Sequence, residues 1–215
     1  MAVGCAVVST GIAVKREVID RRAELSRVQR PDPAPVRDWQ KYAVGGHRLG
    51  ATNPRVTIVE FADFECPYCR RLALGPLRYV LAIHPDVAVL VRQRPMPYHR
   101  FAVPAARAAE CASAQGQYDD YYNALFVGQD SLGLKSFADF ARDAGIADLR
   151  AFAACDSASS PVAGMASDMD AANTLGANVT PALIVDGLLI SGAPDSVQLE
   201  KYVTAALRHH GGQGN

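Results

Sequence analysis

Between Arg55 and Ala62 the chain reads Arg-Val-Thr-Ile-Val-Glu-Phe-Ala, dense in β-branched residues, which predicts a strand. Successive strand side chains alternate, so Val56, Ile58 and Glu60 share one face and Thr57, Val59 and Phe61 the other. Apolar residues on both faces predict a central strand covered from both sides. Residues 66 to about 83 read as a helix, and Gly75-Pro76 inside it predicts a kink. Asp86 to Arg92 is a second apolar strand. Strand, helix and strand make a βαβ unit, which implies a parallel pair with a right-handed crossover.

Upstream, Trp39, Tyr42 and Val44 point to a first strand closed by Gly45-Gly46, and Gly50 to Pro54 to a turn. Downstream, Pro104–Gln115, Tyr118–Val127, Leu134–Ala144, Asp148–Ala154 and Pro161–Leu175 lack strand patterning and are rich in Ala, so they predict an inserted helical subdomain. The sheet resumes at Ala182–Val185; Asp186-Gly187 is a strong hairpin signal, and Leu188–Ser191 is the return strand. Pro194-Asp195-Ser196 suits a helix start, and Leu199, Tyr202, Val203, Ala206 and Leu207 form its apolar stripe. The chain therefore divides into an N-terminal segment and linker (1–35), a first α/β part (36–98), a helical insertion (99–176), a second α/β part (177–208) and a polar tail (209–215).

The first of these segments admits two readings. Ala2 to Val14 are apolar or small, and Lys15-Arg16 and Arg21-Arg22 follow. As a helix this run spans only ~20 Å, against ~30 Å of hydrocarbon core. A signal peptide carries positive charge before its apolar run, and none stands there. Positive charge after the run argues by itself for a cytoplasmic C-terminal side. The segment is either the end of a membrane anchor that starts further upstream, giving membrane attachment, or an amphipathic or frayed helix. Pro31-Asp32-Pro33-Ala34-Pro35 then breaks any helix and reads as a linker.

Composition narrows the function. The 215 residues suit one domain, or one carrying an insertion, and 49% hydrophobic residues suffice for a sizeable core. Lys plus Arg equals Asp plus Glu at 22 each, with no basic run, so nothing electrostatic argues for nucleic acid. The five cysteines are Cys5, Cys66, Cys69, Cys111 and Cys155. Only Cys66 and Cys69 are close, and one C-x-x-C offers two ligands where structural zinc needs four, so no metal is expected.

Cys66 and Cys69 sit where a strand hands over to a helix. Cys66 falls at the N-cap and Pro67 at the first helical position, where its missing N–H costs nothing. A thiolate at that cap would accept the free amides of Tyr68 and Cys69 and feel the positive end of the helix dipole. That lowers its pKa and makes Cys66 the nucleophile, with Cys69 placed one turn deeper to resolve a mixed disulfide. The bland alternative is two unrelated buried cysteines. Glu60 points to the face shared by Val56 and Ile58, where a carboxylate is costly unless paired or protonated. It could exchange a proton with Cys69, or else reach solvent or a Lys. Thr180-Pro181 precedes the strand at Ala182, a fitting entry position for Pro. A cis bond there would set the Thr180 backbone against the cysteine pair.

Three segments carry a family resemblance. Val59-Glu-Phe-Ala-Asp-Phe-Glu-Cys-Pro-Tyr-Cys69 resembles the active-site segment of DsbA-like proteins. Ala106-Arg-Ala-Ala-Glu-Cys-Ala-Ser-Ala-Gln-Gly116 resembles their first inserted helix, and Val179-Thr-Pro-Ala-Leu-Ile-Val-Asp-Gly187 their cis-proline strand. The resemblance covers about residues 36 to 208, with the motifs in the family's order. It implies a thioredoxin fold with an inserted helical subdomain and an extracytoplasmic location, periplasmic or at the cell surface. It further implies oxidation of cysteine pairs in substrate proteins, a redox recycling partner, and no bound cofactor. By position, Cys66 resembles the nucleophile, Cys69 the resolving thiol, Glu60 the buried carboxylate and Thr180-Pro181 the cis-proline loop. Two departures are the dipeptide Pro67-Tyr68, where the most oxidising members have Pro-His, and Asn-Val-Thr-Pro in place of Gly-Thr-Pro.

Rival readings are a reductase or isomerase using the same site, a glutaredoxin, which shares Cys-Pro-Tyr-Cys but is about half this length, and a binding or chaperone module with an incidental disulfide. Cys111 and Cys155 are candidates for a structural disulfide, since extracytoplasmic proteins tend to pair their thiols; the alternative is two buried free cysteines.

Overall fold

The computed structural model describes residues 32–160 and 164–211, so the reading of the N-terminal segment as an anchor remnant lies outside the described residues. One six-stranded sheet organises them, in the order β1-β6-β5-β3-β4-β2. The strands are β1 Ala34–Pro35, β2 His47–Gly50, β3 Val56–Ala62, β4 Val87–Gln93, β5 Ala182–Val185 and β6 Leu188–Ser191. β3 and β4 are parallel in the register Val56↔Val87 to Ala62↔Gln93, and the other pairs are antiparallel.

The alternation in β3 decides what lies on each side of the sheet. Val56, Ile58 and Ala62 join a large core with Leu72, Val80, Phe126 and Leu199. Val59 and Phe61 join a second one with Tyr42, Ala172 and Ile184. Between β3 and β4 the chain forms α1 (Pro67–Leu72), a π-helical turn (Ala73–Leu77) and α2 (Arg78–Ile83). Pro76 cannot donate to a preceding carbonyl, so the ladder widens by one residue there instead of breaking.

The insertion supplies α3 (Ala102–Ser113), α4 (Tyr118–Val127), α5 (Phe137–Asp143), α6 (Leu149–Asp156) and α7 (Met165–Leu175). Residues of α3 to α6 pack in the larger core, whereas α7 sits against the other face of the sheet. A buried ion pair secures α7. Arg92 Nε donates to Asp168 Oδ1 at 2.7 Å, and the Gln93 amide donates to Oδ2 at 2.8 Å. α8 (Ser196–Gly211) returns to the larger core through Leu199 and Val203. Its start is a reciprocal cap: the Gln198 amide donates to Asp195 Oδ1 at 2.8 Å, and the Asp195 amide to Gln198 Oε1 at 3.3 Å. This is the expected α/β architecture with its helical insertion.

Two expectations are corrected. Trp39–Tyr42 is a 3₁₀ helix, not a strand, opened by Asp38 in the left-handed region. Residues three apart eclipse in such a helix, which turns both rings into the second core. The first long strand, β2, follows only after Gly46, where a Cβ would meet the Val91 carbonyl oxygen at 2.4 Å. The polar tail is also shorter than expected, because α8 runs through His209 and His210 to Gly211. Histidine suits the negative end of a helix. His209 Nδ1 and His210 Nε2 lie 3.0 and 2.7 Å from the carboxylate of Asp186, which sits in the β5–β6 turn. These three ligand-type side chains meet only in the fold. Arg55, donating to the Leu207 carbonyl at 3.1 Å, brings positive charge to the same helix end.

Cys111 in α3 and Cys155 in α6 are bonded to each other, with Cα atoms 5.7 Å apart and a sequence separation of 44. Closing a loop of that length removes unfolded-state entropy worth about 4 kcal/mol in the chain-entropy account. The double variant Cys111→Ala/Cys155→Ala is expected to lose a few kcal/mol of unfolding free energy, read by urea denaturation. No helix among the described residues is long and apolar enough to cross a membrane.

Candidate active site

β3 ends at Ala62, and the next four residues carry the chain to the start of α1. Cys66 is the N-cap, in extended conformation, and Pro67 is the first helical residue. The intervening loop is held from two sides. The buried Asp63 carboxylate accepts from the Glu65 and Met96 amides at 2.8 and 2.7 Å, and His99 Nδ1 lies 2.8 Å from it. The Phe101 amide donates to Glu65. From the insertion, Gln129 Nε2 donates to the carbonyls of Phe64 and Cys66 at 2.7 and 3.0 Å. Six polar contacts thus position a loop that has no ladder of its own.

Cys66 is 4% exposed, and its Sγ donates to the Thr180 carbonyl at 3.3 Å. The Thr180–Pro181 bond is cis. The Cys66 pKa falls from an ordinary 9.0 to about 6, chiefly because the Cys69 thiol donates to the thiolate, and burial opposes this. Thr180 and the amides of Cys69 and Tyr68 lower it further. The thiol makes no capping hydrogen bond, so the helix amides act after the second cysteine and not before it. In the thiol form Thr180 Oγ1 has no partner among the described residues, which leaves it free to donate once Cys66 ionises.

Cys69 is fully buried and accepts from the Asp63 amide at 3.5 Å. Burial first, then its bond to Cys66 and the charges on Cys66 and Glu60, push its pKa well above the ordinary range. Glu60 is 0% exposed, with its pKa pushed up to about 8. Burial is the main cause, a hydrogen bond from the Tyr122 hydroxyl at 3.0 Å opposes it, and the Cys66 charge adds to it. The two arginines after the pair turn elsewhere. Arg70 pairs with Asp130 at 2.8 Å, while Arg71 donates to the Ala193 carbonyl and lies over the exposed Tyr68 ring.

The fold therefore brings Cys66, Cys69, Glu60, Thr180 and Pro181 into one neighbourhood. It leaves Cys111 and Cys155 in the insertion. Sequence reasoning missed Tyr122, Gln129 and His99, all brought in from elements far along the chain. For Tyr122 a signal existed: Tyr118, Tyr122 and Phe126 recur every four residues, so a helix face with polar tips had to find partners inside.

A family model described as Thioredoxin matches residues 42–205. Among solved structures, the chain is 29% identical to a thioredoxin-like oxidoreductase from Silicibacter pomeroyi DSS-3, covering 80% of this chain and 99% of that one with a TM-score of 0.68. It is 25% identical to a periplasmic thioredoxin-like protein from Salmonella enterica serovar Typhimurium, covering 81% and 99% with a TM-score of 0.64. The thiol-disulfide exchange protein alpha-DsbA2 from Wolbachia pipientis shares the fold at 21% identity, 78% and 91% coverage and a TM-score of 0.68. Among curated proteins, the Na(+)/H(+) antiporter NhaA 3 of Salinispora tropica is 31% identical over 78% of this chain; the chain spans only 26% of that relative's length.

Proposed function

The chain belongs to the thioredoxin family, and from that footing we propose that it is of the DsbA-like kind and exchanges disulfides with cysteine pairs of other proteins through Cys66 and Cys69, acting as an oxidase. The observation that carries this reading is the split between the two thiols: one is held near pKa 6 at a helix start, and the other, buried beside a carboxyl, lies well above its ordinary range.

In the oxidising direction a substrate thiolate attacks Cys66 Sγ. The Cys66–Cys69 bond breaks, its electron pair stays on Cys69, and Glu60 supplies the proton that neutralises this buried thiolate. A second substrate thiolate then attacks the substrate sulfur of the mixed disulfide and releases Cys66 as a stable thiolate. The Thr180 backbone borders Cys66 and Val179 beside it is exposed, so the loop before Pro181 offers an edge on which an extended substrate would lie. The Cys111–Cys155 bond and the periplasmic relative both favour an extracytoplasmic location.

Stabilising the reduced form makes the disulfide a stronger oxidant. Tyr68 brings no charge, so an intermediate strength is expected, between about −195 and −120 mV on a scale where thioredoxin lies near −270 mV and DsbA near −120 mV. Equilibration against glutathione, read by mass, measures it. A potential at or below that of thioredoxin makes the protein a reductase.

A further inference from the structure

Glu60 and Cys69 are both 0% exposed, so neither meets solvent directly. A proton that passes between them must still be restored from water if exchange is to run in cycles. One helix of the insertion carries a route. Tyr122 in α4 donates to Glu60 Oε2 at 3.0 Å. It also lines a cavity of about 170 Å³ between the π-helical turn and α4, with Ala73, Leu77, Arg78, Asp119 and Asn123 around it. Arg78 and Asp119 are exposed, so the cavity meets the surface. The second carboxyl oxygen, Glu60 Oε1, has no hydrogen-bond partner among the described residues and is free to hold the proton.

We propose that Tyr122 is a positioning residue that links Glu60 to solvent, and that this cavity is the proton port of the redox site. The inference rests on Glu60 serving Cys69 as read above. A phenol hydroxyl donates and accepts at once. Its ionisation is suppressed by burial and by the nearby Glu60 charge, so it relays a proton without holding a charge. After the Cys66–Cys69 bond opens, protonated Glu60 gives its proton to the Cys69 thiolate. The Glu60 carboxylate then takes the Tyr122 proton while the phenol oxygen accepts one from water in the cavity. Reoxidation of the dithiol by a disulfide partner runs these transfers backwards.

The charges that bear on this path come from several elements. Cys66 and Cys69 in the α1 region act on Glu60 or are acted on by it, and Tyr118 feels its charge from α4. Asp63, with His99 beside it, holds the backbone that donates to Cys69. Arg78, Asp119 and Asp120 line the cavity, where burial and Asp120 raise the Asp119 carboxyl and Arg78 lowers it.

Single-turnover reduction of the enzyme disulfide by a cysteine-pair peptide, followed by stopped flow from pH 6 to 9, tests the port. Tyr122→Phe should slow the step about tenfold, move its upper apparent pKa upward, and leave the Cys66 alkylation pKa unchanged. In a Glu60→Gln background the same change should do nothing more. Ala73→Leu, which fills the cavity but keeps the hydroxyl, should also slow the step, and it serves if Tyr122→Phe does not fold. An unchanged rate in both variants overturns the port, as does a loss that adds in full to that of Glu60→Gln. If wild-type protein itself exchanges no disulfide through Cys66, the functional reading fails instead; a competent wild type with indifferent variants removes the port alone.

Discussion

Cys66→Ser is expected to reduce exchange with a protein dithiol to the uncatalysed background, whereas Cys69→Ser should attack a disulfide-bonded substrate, release one of its sulfurs as a thiolate and hold the other as a stable mixed disulfide on Cys66. The asymmetry follows from the two thiols' environments. At pH 7 a thiol with a pKa of about 6 is roughly 90% thiolate, against about 1% at its ordinary value of 9.0. Cys69 is shifted the other way and is almost wholly protonated. Only the first can attack or be attacked while carrying stable negative charge, and only it borders the Thr180 carbonyl. Serine at 66 removes the atom that forms the bond. Serine at 69 removes the atom that releases it. Trapping with a single-cysteine peptide supplied as its mixed disulfide with glutathione, which leaves as the thiolate, followed by mass mapping, should place all peptide adduct on residue 66. Iodoacetamide at pH 6 should likewise label Cys66 and spare Cys69. Adduct on Cys69, or equal labelling of the two, contradicts the assignment.

The part of this arrangement that a sequence can express is the part made locally. The alternation from Val56 to Ala62 is written in consecutive residues, and so is the proline that starts α1 after Cys66. Gly75-Pro76 likewise announces the irregular turn that became a π segment. Other features depend on partners distant in the chain. Arg92 meets Asp168 across 76 residues, and that pair places α7 on the opposite sheet face from the rest of the insertion. Tyr122 reaches Glu60 across 62 residues, and Gln129 reaches Cys66 across 63. Trp39 and Tyr42 point in the sequence to a strand and not to the 3₁₀ turn they form, because a spacing of three in so short a run does not separate a turn from a twisted strand. The helix-dipole account of Cys66 was legible too. The larger contribution, a hydrogen bond from the Cys69 thiol, needed the coordinates of both sulfurs.

Glu60→Gln is expected to make the reduced protein more stable at alkaline pH while slowing its chemistry. The stability effect follows from linkage. The Glu60 pKa is raised from 4.5 to about 8 on folding. Between those values the folded protein keeps a proton that the unfolded chain has released. Stability is therefore unaffected by this group below pH 4.5, falls as pH rises through the window, and stays reduced above pH 8. The full difference is about 5 kcal/mol, from some 3.5 pKa units at 1.36 kcal/mol each. Glutamine has nothing to ionise and escapes this loss. Cys66 acts in the opposite sense, since its pKa is lowered from 9.0 to about 6, so its thiolate adds stability as pH rises from about 6 to 9. Most of that slope is common to both proteins; what does not cancel is the repulsion between the Cys66 and Glu60 charges, which is present in wild type alone and adds to its loss at alkaline pH. Urea denaturation of the two reduced proteins at pH 4.5, 6.5 and 8.5 should show near-equal stability at the first and a variant ahead by several kcal/mol at the last. The cost appears in exchange. Without a carboxyl beside it, Cys69 must gain or lose its proton in a site closed to water, and the single-turnover rate should fall at least tenfold at pH 7. Parallel stability curves across this range would mean that Glu60 is already ionised in the folded protein at acid pH, which would remove it as the proton partner of Cys69.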